Sequence, residues 1–134
     1  MGYSAPPEPP TDRKKMSKKW KRIKKAGCPF CEKSVREPGI RRESNDVISF
    51  VPLNPVVEGH RLFVPDNHCI TEDSHSVALA MTLANLHGQR EGVDYNLILN
   101  SGTFASQTIE HTHVHYIPRY EGDDLYLPWT NQER

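Results

Sequence analysis

The chain has 134 residues, of which 36% are hydrophobic and 25% charged, and its formal net charge is zero. This length allows one domain with a sizeable core and leaves little for a second. No run approaches the ~20 consecutive apolar residues that cross a bilayer, and the N-terminus lacks the apolar core of a secretion signal. We therefore expect a cytoplasmic protein without a membrane segment.

The zero net charge hides an uneven distribution along the chain. Residues 13–25 contain nine Lys or Arg and no acidic residue, so residues 1–27 carry a net charge of +7 and the rest of the chain −7. We expect residues 1–26 to form a basic extension that is disordered or partly helical. Residues 13–25 are predicted either to bind a nucleic acid or an acidic partner, or to rest as a solvated extension against their own domain.

Residues 27–134 are predicted to form one folded domain with four strands. Apolar runs bounded by turn residues indicate these strands. They are Val47–Phe50, His60–Val64, Tyr95–Leu99 and Thr108–Ile117, the last of them stopped by Pro118. The first two are joined by a turn rich in Pro, Asn and Gly, which predicts an antiparallel hairpin.

One principal helix is predicted between the second and third strands. It runs from Thr71, which can act as the N-cap, to about Arg90, and Gly88 and Gly92 end it. Its predicted buried face comprises Val77, Ala80, Met81, Ala84 and Leu86. The order strand, strand, helix, strand, strand indicates an α+β fold with a mainly antiparallel sheet.

A row of three histidines lies in the last predicted strand. Because side chains alternate along a strand, His111, His113 and His115 are expected to project from one face of the sheet. Val114 and Tyr116 then face the core on the other side. Three imidazoles are poor packing material, because each brings polar nitrogens that need partners. The row therefore indicates a metal site, acid–base chemistry or nucleophilic catalysis.

Imidazole is well suited to chemistry at phosphorus. It is largely neutral at pH 7, it is a good nucleophile, and a neighbouring histidine can supply a proton or contact phosphate oxygens. The polar loop that precedes the row adds neutral donors, which are Asn100, Ser106, Gln107 and Thr108. This segment is interpreted either as a cradle for an anion or as a polar loop without a specific role.

The motif Cys28-Pro-Phe-Cys31 can offer two thiolates to a zinc ion. Redox chemistry is the alternative, but such a motif normally lies between a strand and a helix, and here a basic segment precedes it. A tetrahedral zinc site needs two further ligands. The candidates are His60, His68, His75, His87 and the histidine row.

The segment His111-Thr-His-Val-His-Tyr-Ile117 resembles the signature of the histidine triad (HIT) superfamily. The resemblance extends over residues 28–129 and includes Cys28-Pro-Phe-Cys31, the segment Gly59–Pro65, His68 and the polar loop. It implies a HIT-like α+β fold with a zinc knuckle, usually assembled as a homodimer, that hydrolyses or transfers nucleotidyl groups.

The resemblance also implies a role for each site residue. His113 would attack the α-phosphorus as the nucleophile, and His115 would contact the phosphate oxygens. Asn100, Ser106 and Thr108 would hold the phosphates, with Gln107 beside them. The zinc-containing branch of the superfamily implies a structural zinc ion with four ligands, which are Cys28, Cys31, His68 and His111.

Three functions are consistent with these implications. The preferred one is a nucleotide hydrolase acting on dinucleoside polyphosphates or nucleoside phosphoramidates through a nucleotidyl-histidine intermediate. The second is a nucleotidyltransferase or phosphorylase, in which phosphate or a sugar phosphate replaces water. The third is a nucleic-acid-associated deadenylating protein that is anchored by residues 13–25.

Overall fold

The computed structural model describes residues 24–33, 37–68 and 73–130. These form an antiparallel sheet of five strands in the order β1-β2-β3-β5-β4, with one α-helix, α1 (Ser74–Glu91). The strands are β1 (Arg41–Arg42), β2 (Val47–Phe50), β3 (Arg61–Pro65), β4 (Asp94–Leu99) and β5 (Val114–Arg119), and a 3₁₀ turn spans Thr103–Ala105. The predicted α+β fold is confirmed.

The basic residues 13–23 lie outside the described residues, so the predicted extension and its boundary at residue 27 stay predictions. Within the described part of the chain, no helix is long and apolar enough to cross a membrane.

The predicted hairpin is β2–β3. Val47 is paired with Pro65 and Phe50 with Leu62, and all four residues of β2 are buried. The turn between the strands contains Gly59 at φ +93, a conformation that glycine adopts without steric cost. Strand β1 carries no apolar pattern, since both of its arginines are exposed, and the sequence did not predict it.

Strand β5 differs from its prediction at both ends. It begins at Val114 rather than Thr108, because the pairing with β4 starts there, at Leu99, and the preceding residues belong to a loop. It also continues through Pro118 to Arg119. The pairing of β5 with β3 ends at Tyr116, which lies opposite Arg61, the first residue of β3. Pro118 is therefore paired on one side only, where a residue without an N–H donor is tolerated.

Helix α1 begins later than predicted. Asp73 is the N-cap, and its Oδ1 accepts a hydrogen bond from the Ser76 N–H at 3.3 Å. Thr71, the predicted cap, lies outside the described residues. The predicted buried face is correct for Ala80 and Ala84, which are fully buried, and wrong for Leu86, which is 41% exposed.

The two glycines near the end of α1 have different roles. Gly92 ends the helix in the left-handed conformation, at φ +70, and its N–H donates to the Gly88 carbonyl at 3.3 Å. Gly88 was also predicted to end the helix, but it lies within the helix. A Cβ at this position would lie 2.6 Å from Cζ of Tyr95, so glycine allows the helix to approach β4 closely.

The sheet has two faces with different contents. The face that α1 covers, here called the helix face, buries Val47, Phe63, Val114 and Tyr116 against Ala80 and Ala84. The opposite face, here called the histidine face, carries a second buried cluster of Cys28, Phe30, Cys31, Ile48, Phe50, Leu62 and Val64. His115 belongs to the histidine face, because it is paired with Leu62 across β3 and β5. The prediction that Val114 and Tyr116 face the core is confirmed.

Candidate functional site

A cluster of four ligating side chains lies on the histidine face. The ligand atoms of Cys28, Cys31, His68 and His111 all lie within 4.8 Å of one another. The Nδ1 atom of His111 is 3.5 Å from Cys28 Sγ and 3.4 Å from Cys31 Sγ, and Cys31 Sγ is 3.3 Å from His68 Nδ1. The sequence-derived ligand set is thus brought together as a cluster that can hold a metal ion.

The geometry of the cluster fits a tetrahedral zinc ion. With Zn–S bonds of about 2.3 Å and Zn–N bonds of about 2.0 Å, neighbouring sulfur and nitrogen ligands lie about 3.5 Å apart, close to the separations seen here. The Nε2 atom of His111 lies 2.7 Å from the Pro65 carbonyl oxygen, which can only accept a hydrogen bond. Nε2 therefore carries the proton, and Nδ1 presents its lone pair to the cluster.

The cysteine knuckle also contacts His111 and His113. Phe30, between the two cysteines, meets His111 and His113 edge to face, with ring centroids 5.9 and 5.1 Å apart. The N–H of Lys25 donates to Cys31 Sγ at 3.4 Å. Burial raises the pKa of the Cys31 thiol, and a bound divalent cation would act in the opposite direction. The knuckle thus places an aromatic side chain directly against His113.

His113 is held in a defined tautomer just before β5. Its Nδ1 lies 2.7 Å from the His111 carbonyl oxygen, so Nδ1 carries the proton and Nε2 keeps the lone pair. The side chain is buried, with 5% of the residue exposed. Burial lowers the pKa of His113, which keeps the imidazole neutral at pH 7. These are the properties of a nitrogen nucleophile.

His60 and His115 form a second ordered pair beside His113. The Val56 N–H donates to His60 Nδ1 at 3.0 Å, so His60 Nε2 is the protonated nitrogen and donates to His115 Nδ1, also at 3.0 Å. The pKa of His115 is lowered to about 4, first by burial and then by the charges of His113 and His60. Burial also lowers the pKa of His60. Neutral His115 therefore carries its proton on Nε2, as a hydrogen-bond donor.

Sequence reasoning considered His60 only as a possible metal ligand and missed its contact with His115. The signal lies in the strand register. His115 is paired with Leu62, and His60 precedes Leu62 by two residues, which places it toward the same face. Of the other candidates, His75 is exposed on α1 and His87 packs on Phe63 of the helix face.

The polar loop before the histidines is stabilised by hydrogen bonds among its own residues. Gln107 Oε1 accepts from the Gly102 N–H at 2.8 Å, and Gln107 Nε2 donates to the Ile109 carbonyl at 3.2 Å. Ser106 lies at φ +69 and its N–H donates to the Thr103 carbonyl at 3.0 Å. The substrate contacts of the loop residues stay predictions.

The site geometry can be compared with known proteins. The family model for the HIT domain matches residues 40–122, which contain His60, His68 and all three histidines of the row. The chain belongs to the HIT domain family. The matched residues of the HIT domain include the whole sheet and α1.

Relatives of this HIT domain include proteins with named activities. An adenylylsulfatase of Arabidopsis thaliana is 36% identical over 74% of this chain, which spans 55% of the length of that relative. An adenosine 5′-monophosphoramidase of Saccharomyces cerevisiae is 33% identical over a region that covers 81% of this chain and 73% of the length of that relative. A crystal structure of a zinc-bound histidine triad family protein from Mycobacterium smegmatis aligns with a TM-score of 0.61 and 28% identity, covering 75% of this chain and 80% of that one.

Proposed function

We propose that this protein is a nucleotide hydrolase that acts through a nucleotidyl-histidine intermediate, with His113 as the nucleophile. The observation that carries the proposal is the hydrogen bond from His113 Nδ1–H to the His111 carbonyl. It leaves the lone pair on Nε2 in an imidazole that burial keeps neutral. A neutral imidazole nitrogen held in one tautomer is ready to attack phosphorus without first losing a proton.

The first step forms a bond between His113 Nε2 and the α-phosphorus and breaks the bond from that phosphorus to the leaving group. His115 Nε2–H donates a hydrogen bond to the phosphate oxygens, since His60 holds its other nitrogen as an acceptor. In the second step a water oxygen bonds to phosphorus as the phosphorus–nitrogen bond breaks. The products are a nucleoside monophosphate, free His113 and the displaced leaving group. The two protons of the water pass to the leaving group where it is basic, as for the amine of a phosphoramidate, and to solvent where it is not, as for sulfate.

We propose adenylated compounds as the substrate class, in accord with the named activities of the relatives from Arabidopsis thaliana and Saccharomyces cerevisiae. Nucleoside phosphoramidates, adenylyl sulfate and dinucleoside polyphosphates all present an α-phosphorus with a leaving group that one attack displaces. Asn100, Ser106 and Thr108 are proposed to hold the phosphates. Gln107 would maintain the loop that carries them, through its bonds to Gly102 and Ile109.

We further propose that the ligand cluster holds a structural zinc ion. Cys28, Cys31, His68 and His111 would fill all four tetrahedral positions, so the ion would order the knuckle without contacting substrate. The homodimer, the cytoplasmic location, the nucleic-acid partner and the transferase alternative stay predictions.

The test is release of AMP from three substrates, an adenosine 5′-phosphoramidate, adenylyl sulfate and a diadenosine polyphosphate. The wild-type protein should hydrolyse at least one of them, and His113→Ala should reduce kcat/KM by about 10⁴-fold or more, because it removes the nucleophile. His75→Ala is the matched control, because His75 is an exposed histidine of α1 outside the site. Absence of AMP release from all three substrates, or equal rates for His113→Ala and the wild type, would refute the proposal.

A further inference from the structure

The helix face carries a polar row that the proposed hydrolysis does not use. Arg41 is paired with Ser49 across β1 and β2, and Arg61 with Tyr116 across β3 and β5. Ser49 is also paired with Phe63, which places it on the helix face. Ser49 is 0% exposed and Tyr116 1% exposed, whereas the rest of this face is an apolar core. Polar groups at such buried positions need partners.

A cavity of about 190 Å³ lies over this row, beside the last turns of α1. Its lining includes Arg41, Arg61, His87, Glu91 and Tyr116. The cavity is several times larger than the ~30 Å³ that one water molecule occupies in the liquid. It therefore has room for a small polar ligand next to two guanidinium groups.

The Tyr116 hydroxyl has no hydrogen-bond partner. It is the one such buried side-chain atom within the described part of the chain. The phenol ring packs edge to face with the His87 ring, with centroids 4.6 Å apart, and at a tilt against the Tyr95 ring, with centroids 5.6 Å apart. Burial raises the pKa of Tyr116, so the group stays protonated and can donate. Tyr116 lines the cavity, and its O–H donor is satisfied when an acceptor comes within hydrogen-bond distance.

Two guanidinium groups supply positive charge at the cavity, where an acceptor with negative charge could bind. Arg61 is anchored through Nε to Ser49 Oγ at 2.8 Å, and burial together with the charge of Arg41 lowers its pKa. Of the two carboxylates nearby, Glu43 accepts from Ser49 Oγ at 2.5 Å and lies 3.7 Å from Arg41 Nε, and the Glu91 side chain is 54% exposed, 3.9 Å from His87. A ligand oxygen between the guanidinium groups would reduce their mutual repulsion.

We propose that this cavity binds a small oxyanion, with Arg41 and Arg61 supplying positive charge and the Tyr116 hydroxyl donating a hydrogen bond. The site is separate from the catalytic histidines, which lie on the opposite face of the sheet. Sulfate, phosphate and carboxylates share the required chemistry, because each presents at least two negatively charged oxygens to planar guanidinium groups.

The test is an NMR titration of the whole protein with sulfate, phosphate and acetate, each up to about 50 mM, a range that detects millimolar affinity. The Arg41 and Arg61 Nε–Hε signals report on this cavity, and the His113 and His115 ring signals report on the catalytic site. Arg41→Gln and Tyr116→Phe should each raise Kd at the cavity at least about fivefold. Arg90→Gln, an exposed arginine of α1 outside the cavity, is the matched control and should leave Kd unchanged.

Tyr116→Phe removes only the unpartnered hydroxyl, so its melting temperature without added anion should not fall. The anion that shifts the arginine signals at the lowest concentration identifies the class of ligand. The proposal is wrong if none of the three anions shifts these signals, or if only the histidine signals respond. Equal shifts with chloride at the same ionic strength, or an unchanged Kd in both variants, would also overturn it.

Discussion

On the histidine face, buried polar groups are arranged as chains of hydrogen bonds, whereas the helix face is mainly packed hydrocarbon. The ring of His111 bonds to the Pro65 carbonyl, its own carbonyl accepts from His113, and His60 links the Val56 N–H to His115. On the helix face Val114 and Phe63 pack against Ala80 and Ala84. The comparison shows that both faces pack an apolar cluster, and that the histidine face combines its cluster with imidazoles whose orientations are set by hydrogen bonds.

If a bound metal ion stabilises the histidine face only, variants on the two faces should differ in how much a chelator lowers their free energy of unfolding. Cys31→Ala should abolish stoichiometric zinc, and its free energy of unfolding should fall by roughly 3 kcal/mol or more, because the cluster loses a ligand. Chelator should destabilise the wild type by a similar amount and this variant hardly at all. Chemical unfolding with and without chelator, together with the zinc-to-protein ratio, measures both effects.

Ala84→Gly, on the helix face, is the control for the metal experiment. It should cost about 1–2 kcal/mol through lost helix propensity and packing, and retain both its zinc and the full effect of chelator. A wild-type protein purified without chelator that contains no zinc, or a chelator effect that persists in Cys31→Ala, would contradict the proposed ligand set.

The pairing of His60 with His115 predicts a smaller, purely positional effect. His60→Leu should lower kcat about 10- to 100-fold with little change in KM, because His115 then loses the donor that fixes its tautomer. His60→Gln, which can place an amide N–H toward His115 Nδ1, should recover part of the loss. Steady-state kinetics of both variants distinguish this role from simple destabilisation, in which both variants would lose activity together with folded protein.

The smallest expected effect concerns acid stability. The folded state holds the pKa of His115 near 4, below the ordinary value of 6.5, so between these values the unfolded chain binds more protons. The stability that this group contributes is therefore complete above pH 6.5 and lost as pH falls toward 4. Because His115 is half-buried and water screens its charge, we expect roughly 1–2 kcal/mol over that window.

Denaturant unfolding of the wild type and His115→Gln at several pH values checks this expectation. The variant should lose less stability than the wild type between pH 6.5 and pH 4, since glutamine does not titrate. Parallel pH profiles for the two proteins would show that His115 does not carry the effect.

The sequence predicted the parts of the molecule that depend on local patterns. The β2–β3 hairpin followed from two apolar runs and a turn, and the resemblance implied the four residues that cluster on the histidine face. The start of β5 at Val114 was not predictable, because pairing with β4 sets it rather than the apolar pattern. The His60–His115 contact and the cavity behind Arg61 depend on the register between distant strands, which one sequence does not specify.

The ring and the main-chain carbonyl of His111 have separate roles, and HIT domains can therefore lose one and keep the other. Its ring belongs to the cluster of possible metal ligands, whereas its main-chain carbonyl accepts the hydrogen bond from His113 Nδ1–H. The tautomer of the proposed nucleophile therefore depends on the position of a peptide group, and the His111 ring is only one means of fixing that position. A descendant could lose both cysteines and keep His113 in the same tautomer, provided that new packing around the knuckle kept this carbonyl in place. We expect such lineages to carry bulkier apolar residues at positions 28 and 31.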